Sequence, residues 1–528
     1  MFARGRVIPY VVAFAMLAAA CGDDETPMEG NAPDAPTGVT VAVQGAALVV
    51  SWTASNGADA YDVQRAESSG SPSFSVLASD LSGTSHTDDT AAPGAEYLYR
   101  VIAKNADGSS PASDPAAGEL PPNVETLSGT ISSDRTLDAA KTYIITGVVA
   151  VPDGVSLTIP AGTLLKGSVD VQPSALMVRQ GGKVFSNGTE ADPVVFTSGA
   201  AVGSRSRGDW GGVVLNGRSI CNFLTQANPV SECVGEGASG PYGANPPVLD
   251  DDSGVMTYTR IEFAGYEVSF GNELNALTLN AVGSGTELHH IQTHYGSDDG
   301  FEWFGGTVNL KYGLATGISD DSFDYSTGWQ GYGQFWIAQQ DPNDADAGFE
   351  VDGNENDFTA QPYTDPMIYN VTLVGKGVDG AGGTAGESTT GMVLRRGTGG
   401  DIVNAIVMGF GTAGVDIDNA ETLTQGLTLQ NSIIGLNAEE ISGDSDGIDD
   451  PAFVGNAAWN NQIDVDPMLV APFDRAAPDF RPDAGSPALQ GYQAVPADPF
   501  FSDVDFIGGA DPNEASPWYL GWTTFEQS

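Results

Sequence analysis

The segment TELHHIQTHYGSDDGFEWFGG, residues 286–306, is followed closely by NLKYGLATGISDDSFDYSTG, residues 309–328. Asp298-Asp299 and Asp320-Asp321 stand 22 residues apart, and so do Glu302 and Asp324. A looser series begins at Asn370 (NVTLVG), Asn404 (NAIVMG) and Asn431 (NSIIG). Short apolar runs ended by Gly or Asn recur on the N-terminal side as well, in GVSLTI from Gly154, ALMV from Ala175, VVFT from Val194 and GVVLNG from Gly212. A repeat of about 22 residues holding two or three short strands fits one coil of a right-handed parallel β-helix, in which inward Val, Ile and Leu build a continuous apolar column. The period is too short for propeller blades, which need about 40 residues or more. The repeated Asn are expected at corners, where the left-handed conformation is tolerated by this residue and its amide can bond one coil away.

Stacked coils place like positions about 4.8 Å apart along the axis. Asp298, Asp299, Asp320 and Asp321 should then form an acidic ladder on one turn, joined by Glu302 and Asp324. One longer coil onward come Glu350, Asp352 and Glu355. Carboxylates that close repel and raise one another's pKa. Two chemistries make use of that. Ca2+ takes 6–8 oxygen ligands at about 2.3–2.6 Å, and Asp298, Asp299, Asp320, Asp321 and Asp324 are the candidate ligands. Glycan cleavage instead pairs one protonated and one ionised carboxyl, with Asp298, Asp299, Asp320 and Asp321 as candidates. Three of the chain's four His lie in the same run. Strand alternation sets His290, Gln292 and His294 on one face. His290 and His294, with Glu302, Trp303 and Trp329, are the candidate ligand-binding residues, because aromatic faces beside acids suit sugar rings. Lys311 is the nearest basic residue. A second acidic group, Asp250-Asp251-Asp252, reads as a solvated loop. No phosphate loop or His-Glu-x-x-His motif is present.

The net charge of −49 argues against nucleic acid, whose phosphates it repels, and favours solubility and divalent cations. Gly is 68 of 528 residues and charged residues are 17%, a composition of turn-rich β structure. Arg4 and Arg6, an apolar run from Val7 to Leu17, and small residues up to Cys21 have the layout of a cleaved export signal. The run is shorter than the roughly 20 residues a membrane span needs. Its end, LAAAC, resembles the bacterial lipoprotein box. That resemblance implies cleavage before Cys21, a lipid on its thiol, and a place in the cell envelope, at the outer membrane and facing outward. Beyond it only Cys221 and Cys233 remain, 12 apart. In an exported chain they read as a local disulfide.

From about residue 35 the alternating runs VTVAV, LVVSW, YDVQR and YLYRV are separated by turn residues at sandwich-like intervals. Pro33, Pro36, Trp52, Tyr61, the PGAEY run ending at Tyr97 and the NADGSS run from Asn105 resemble a fibronectin type III domain. The region from 123 onward, carried by GGKVFSNGTEADPVVFTS, GDWGGVVLNGR around Trp210, DDDSGVMTYTRIEFAGYE, the segments quoted first and VDFIGGADPNEASPWYLGWTTF, resembles bacterial surface β-helix proteins of the pectin-lyase-like type, many of them lipoproteins. The resemblance implies fold and location rather than a particular chemistry. The acidic layout also resembles polygalacturonases, but their Gly-His-Gly and Arg-Ile-Lys motifs are missing.

The expected organisation is all-β: signal peptide 1–20, acidic tether 21–34, fibronectin type III-like domain 35–118, β-helix 123–500 and a capping segment 501–528. The expected function is display of a glycan-binding or other ligand-binding β-helix, with Ca2+, from a lipid-anchored position at the cell surface. A polysaccharide lyase or hydrolase and a purely structural envelope component are the alternatives.

Overall fold

The computed structural model describes residues 31–528 apart from 45–46, 69–71, 121–122, 378–387 and 445. Cys21 and the export signal lie outside the described residues. The chain forms two compact units, dividing between residues 122 and 123.

The first unit is an antiparallel sandwich. One sheet pairs Thr37–Gln44, Ala47–Thr53 and Ser85–Asp88; the other is built on Ala60–Glu67 and Glu96–Asn105. Alternation places Leu48, Val50, Tyr61, Val63, Tyr99 and Val101 in the shared core. Trp52 meets Tyr61 at 5.4 Å between ring centroids. The Tyr97 hydroxyl accepts the Ala92 N–H at 3.3 Å, which closes the corner read from the PGAEY run.

The second unit is a parallel β-helix with three strand faces. Pairing between its coils is parallel, from Val124–Thr130 to Gln462–Ile463. The 22-residue offset is the true register: Glu302 lies opposite Asp324 and His294 opposite Thr316. Inward side chains fill the column, and its middle is aromatic. Phe301 stacks on Phe323 at 5.1 Å, Trp303 on Trp336 at 5.1 Å, and Trp329 packs 5.1 Å from Trp303. These rings bury large apolar areas, the dominant favourable term in such a core.

Two of the faces meet at a corner that runs inside the long strands. At each coil one residue there has positive φ and drops out of the pairing: Tyr258, His290, Tyr312, Phe335, Asn370, Asn404 and Asn431. The expected Asn corners are therefore found, and four aromatic rings continue the same column. Tyr258, His290, Tyr312 and Phe335 stack in sequence at 4.3, 4.2 and 4.9 Å. Left-handed backbone costs a non-glycine residue about 1–2 kcal/mol; ring stacking of about 0.5–1.5 kcal/mol per pair offsets much of it.

The Asn370 amide bonds one coil away as expected, its Oδ1 accepting from Gln334 Nε2 at 3.4 Å, but the amide nitrogens of all three Asn point elsewhere. They bind the C-terminal segment: Asn370 Nδ2 donates to Phe506 O, Asn404 Nδ2 to Gln493 O and Asn431 Nδ2 to Gly491 O. The coils end at Gln462–Ile463, so the boundary expected at 500 is too late. Beyond them Asp479–Pro482 pairs antiparallel with Leu469–Ala471. Residues 501–526 do not cap the helix end. They lie as a strap along its flank, held by outward amides: Gln334 exchanges two hydrogen bonds with Ser502, and Gln292 two with Thr524. Replacing Asn404 tests this strap. Asn404→Gly and Asn404→Ala both lose the paired bonds to Gln493 (2.9 and 2.7 Å). The alanine variant is expected to be less stable than the glycine variant by about 1 kcal/mol in urea unfolding, because only glycine accepts positive φ freely.

Candidate functional site

The acidic ladder stands on the outer side of the third face. The strands Leu277–Asn280, Phe301–Phe304, Phe323–Ser326, Ala347–Asp352 and Thr390–Arg395 stack in that order. With Phe301/Trp303, Phe323/Tyr325 and Phe349/Val351 committed to the core, period-two alternation leaves Glu302, Asp324 and Glu350 pointing outward. They are direct cross-strand neighbours, so three carboxylates rise in one column at the coil spacing of about 4.8 Å.

A second row sits in the preceding turn. Asn275 Oδ1 accepts the Asp299 N–H at 3.1 Å, Asp299 Oδ1 accepts the Asp321 N–H at 3.1 Å, and Asp321 Oδ1 accepts the Ala347 N–H at 2.6 Å. Each side chain thus caps the next coil. One oxygen of Asp299 and one of Asp321 are committed to the fold, while Asp298 and Asp320 form the rim beside them.

Walls come from insertions. The Cys221–Cys233 disulfide forms as expected, and beyond it a hairpin, Cys233–Gly235 and Gly240–Tyr242, carries Glu236 and Tyr242. Both cysteines pack with Tyr242 and Phe304. Glu236, Tyr242 and Phe304, with Glu302, Asp324, Glu350 and Glu355, line a cavity of about 300 Å³. Arg395 binds Asp352 through Nε at 2.8 Å and also Glu350; Arg396 Nη1 lies 2.5 Å from Asp352.

Carboxylates far outnumber these two cations. Burial, reinforced by Glu273, Asp320 and Glu236, raises the Asp298 pKa to about 8. Burial and then Asp346 and Glu350 raise Asp320 to about 6, and burial with Glu273 raises Glu236 to about 7. Asp299, Glu302, Asp321 and Asp324 are held well above the usual carboxylate range, each by burial first and by neighbouring acids next. Asp324 Oδ1 is buried and meets no donor among the described residues. Four overlapping triads, among them Asp299–Glu302–Asp324 and Asp321–Asp324–Glu350, offer oxygens all within 4.8 Å of one another. Ligands at about 2.4 Å from a shared Ca2+ can be no more than about 4.8 Å apart, so each triad has the reach to hold one ion.

The other sequence candidates do not join this site. Trp303 and Trp329 are fully buried in the aromatic column, which corrects their expected place on a ligand rim. His290 belongs to the corner stack, beneath Trp518 and Trp522. The expected shared face of His290, Gln292 and His294 exists, but the strap covers it. His294 Nε2 donates to Glu526 O at 2.8 Å, and its Nδ1 takes the Thr316 hydroxyl at 2.7 Å. Burial lowers the His290 and His294 pKa values to about 3 and about 4. Of the five candidate ligand contacts only Glu302 lines the acidic cavity. Lys311 is also elsewhere, donating to Phe500 O at 2.7 Å and Ser502 at 2.8 Å. Asp252 pairs with Lys183 at 2.5 Å. Glu236, Glu273 and Arg395 were not singled out in the sequence. The 22-residue repeat carries no trace of the two glutamates, because both sit in insertions.

The family model described as a pectate-lyase like beta helix domain matches residues 129–464, well over half of the sequence. The chain belongs to this family. The fibronectin type III model matches residues 34–119 ahead of the pectate-lyase-like β-helix. Among solved structures, an Fn3-like protein from Clostridium thermocellum is 30% identical, over 17% of this chain and 96% of that one, with a TM-score of 0.16. Domains A168–A170 of titin are 24% identical, over 17% and 33%, with a TM-score of 0.16. No curated protein matches the sequence. At the level of the family, a pectate-lyase-like β-helix joined to a fibronectin type III domain supports a surface or carbohydrate-related role.

Proposed function

We propose that this protein is displayed at the cell surface by a lipid on Cys21 and that its β-helix binds an extracellular glycan through Ca2+ held on the acidic ladder. The observation that carries the reading is the Glu302–Asp324–Glu350 column, with the buried Asp324 Oδ1, which meets no donor among the described residues, at its centre. A hard cation answers that excess of oxygen charge, and its open coordination positions can take glycan oxygens. Tyr242, Phe223 and Phe304 in the cavity lining supply apolar surface for a sugar face.

The oxygens of each triad stand within 4.8 Å of one another, close enough to share one ion. Isothermal titration with Ca2+, followed by a panel of acidic and neutral polysaccharides, tests the reading. Saturable Ca2+ binding, and glycan binding that disappears with chelator, are expected. Glu302→Gln with Asp324→Asn should weaken Ca2+ at least tenfold. New reducing ends or unsaturated products would replace this reading with catalysis at the same carboxylates.

A further inference from the structure

A second cavity, of about 500 Å³, opens on a different strand face from the acidic ladder. Its floor is the outer side of Glu287–His294 and Asn309–Thr316. Leu288 and Leu310 belong to the core, so alternation turns Glu287, His289, Asn309 and Lys311 outward. His289 lies opposite Lys311, and Lys311 opposite Gln334. The C-terminal chain takes hold of two residues in that row. Gln334 binds Ser502, while Lys311 Nζ donates to Phe500 O at 2.7 Å and to Ser502 Oγ at 2.8 Å. His289 bonds instead within its own strand, with Nδ1 2.9 Å from His290 Nδ1 and Nε2 3.4 Å from Glu287. The cavity is the space left there, bordered by Pro499, Phe500 and the turn at residues 284–286.

Lys311 gives this space its chemistry. Both oxygens it binds are neutral. Among the described residues it pairs with no carboxylate, in a chain whose net charge is −49. An ammonium has three donors, so one N–H and the whole charge are left for a ligand. Burial lowers its pKa, as expected of a cation held out of water without a counter-charge. Asn309 stands on the same face. Its Oδ1 accepts the Tyr332 N–H at 2.8 Å, and its amide nitrogen donates to no other described residue. Phe500 supplies a fixed apolar wall, its ring 5.7 Å from Tyr332 and 5.0 Å from Phe501. That ring lies 5.5 Å from Lys311 Nζ, so one small molecule can reach both. Small-molecule pockets combine apolar walls with a few placed polar groups and span about 300–1,000 Å³. One ammonium beside one amide matches a singly charged carboxylate, which takes charge-assisted hydrogen bonds from both.

We propose that this cavity binds a small ring-bearing carboxylate, its carboxylate on Lys311 and Asn309 and its ring against Phe500 and His289. The site needs no cation and stands independently of the ladder reading. Isothermal titration of the full chain in chelator tests it. The probes are 4-hydroxybenzoate and glucuronate, with 4-hydroxybenzamide and glucose as their neutral counterparts. At least one carboxylate is expected to bind with a Kd of about 1 mM or tighter, at least tenfold tighter than its counterpart. Which of the two binds identifies the ring as aromatic or sugar. Lys311→Gln keeps a donor for the strap and removes the charge, and should weaken binding at least tenfold at an unchanged melting temperature. Lys311→Arg should retain binding. Ser284→Trp, at an exposed residue of the lining, should block the cavity without touching the strap. Glu302→Gln with Asp324→Asn should leave binding intact. Neither carboxylate binding at about 10 mM would overturn the proposal, and so would neutral counterparts that bind equally well. Binding undiminished in Lys311→Gln or in Ser284→Trp, or lost when only the ladder is neutralised, would overturn it too.

Discussion

In chelator, raising the pH from about 5 to about 8 should lower the melting temperature of the β-helix by roughly 5 °C or more, and millimolar Ca2+ at about pH 8 should restore it. Each ladder carboxyl binds its proton more tightly in the fold than in the unfolded chain, since burial and neighbouring acids raise its pKa. The folded state then holds more protons, and stability falls as pH rises through the interval. The stabilisation is fully present below about pH 4 and is lost through about 6 for Asp320 and about 8 for Asp298. A tenfold change in proton affinity is worth about 1.4 kcal/mol, so the coupled carboxyls together contribute on the order of several kcal/mol across the window. Ca2+ at a hundred times its Kd returns about 2.7 kcal/mol per site. Asp324→Asn keeps the shape and removes one charge. It should stabilise the chelated protein at about pH 8 and flatten the pH profile. A melting temperature that rises steadily from about pH 5 to about pH 8 in chelator would show the ladder to be ionised without cost, and the cation reading would lose its physical basis. The melt is best followed by a probe of the β-helix, because Asp88 in the first unit has a lowered pKa and loses its contribution only on acidification.

Trp303→Ala should cost about 3–5 kcal/mol, the range for truncating a buried aromatic, and leave Ca2+ affinity unchanged. Trp303 is fully buried, stacked between Phe301 at 5.9 Å and Trp336 at 5.1 Å, with Trp329 alongside. Removing it opens a void that three rings border. Trp303→Phe is expected to cost under about 2 kcal/mol. It keeps a ring in the stack and deletes an indole Nε1–H that is buried without an acceptor among the described residues, a group whose burial itself costs about 1–3 kcal/mol. Coils contact mainly their neighbours, so hydrogen exchange should loosen around residues 277–351 before the ends of the stack. Loss of Ca2+ or glycan binding in Trp303→Phe at full stability would instead return this residue to the ligand.

The 22-residue interval already fixed which acids stack, because a parallel coil repeats its register and alternation sends every second side chain outward. Glu302 above Asp324 follows from that interval alone, and Glu350 follows once the longer coil is allowed for. The same logic found Asn370, Asn404 and Asn431 at corners, since positive φ selects Asn among the side-chain-bearing residues. It failed for Trp303 and Trp329. Aromatic residues next to acids look alike in sequence whether they face a ligand or the column, and only strand parity counted from a known corner separates the two. His290 supplied that corner: its positive φ shifts the phase of the strand midway.

The sequence by itself determined the periodic part of this protein: the β-helix, the vertical alignment of Asp298, Asp299, Glu302, Asp320, Asp321 and Asp324, and the sandwich before it. These are short-range patterns, repeated often enough to be read without knowing what they touch. Only the tertiary structure decided what is open and what is closed. The strap from residue 501 onward covers the histidine face, and the insertions bearing Glu236, Tyr242 and Glu355 wall the acidic one. Both results depend on single contacts between residues more than a hundred positions apart, such as Gln292 with Thr524 or Asn222 with Asn354. Such contacts leave no period in the chain, because each is made once.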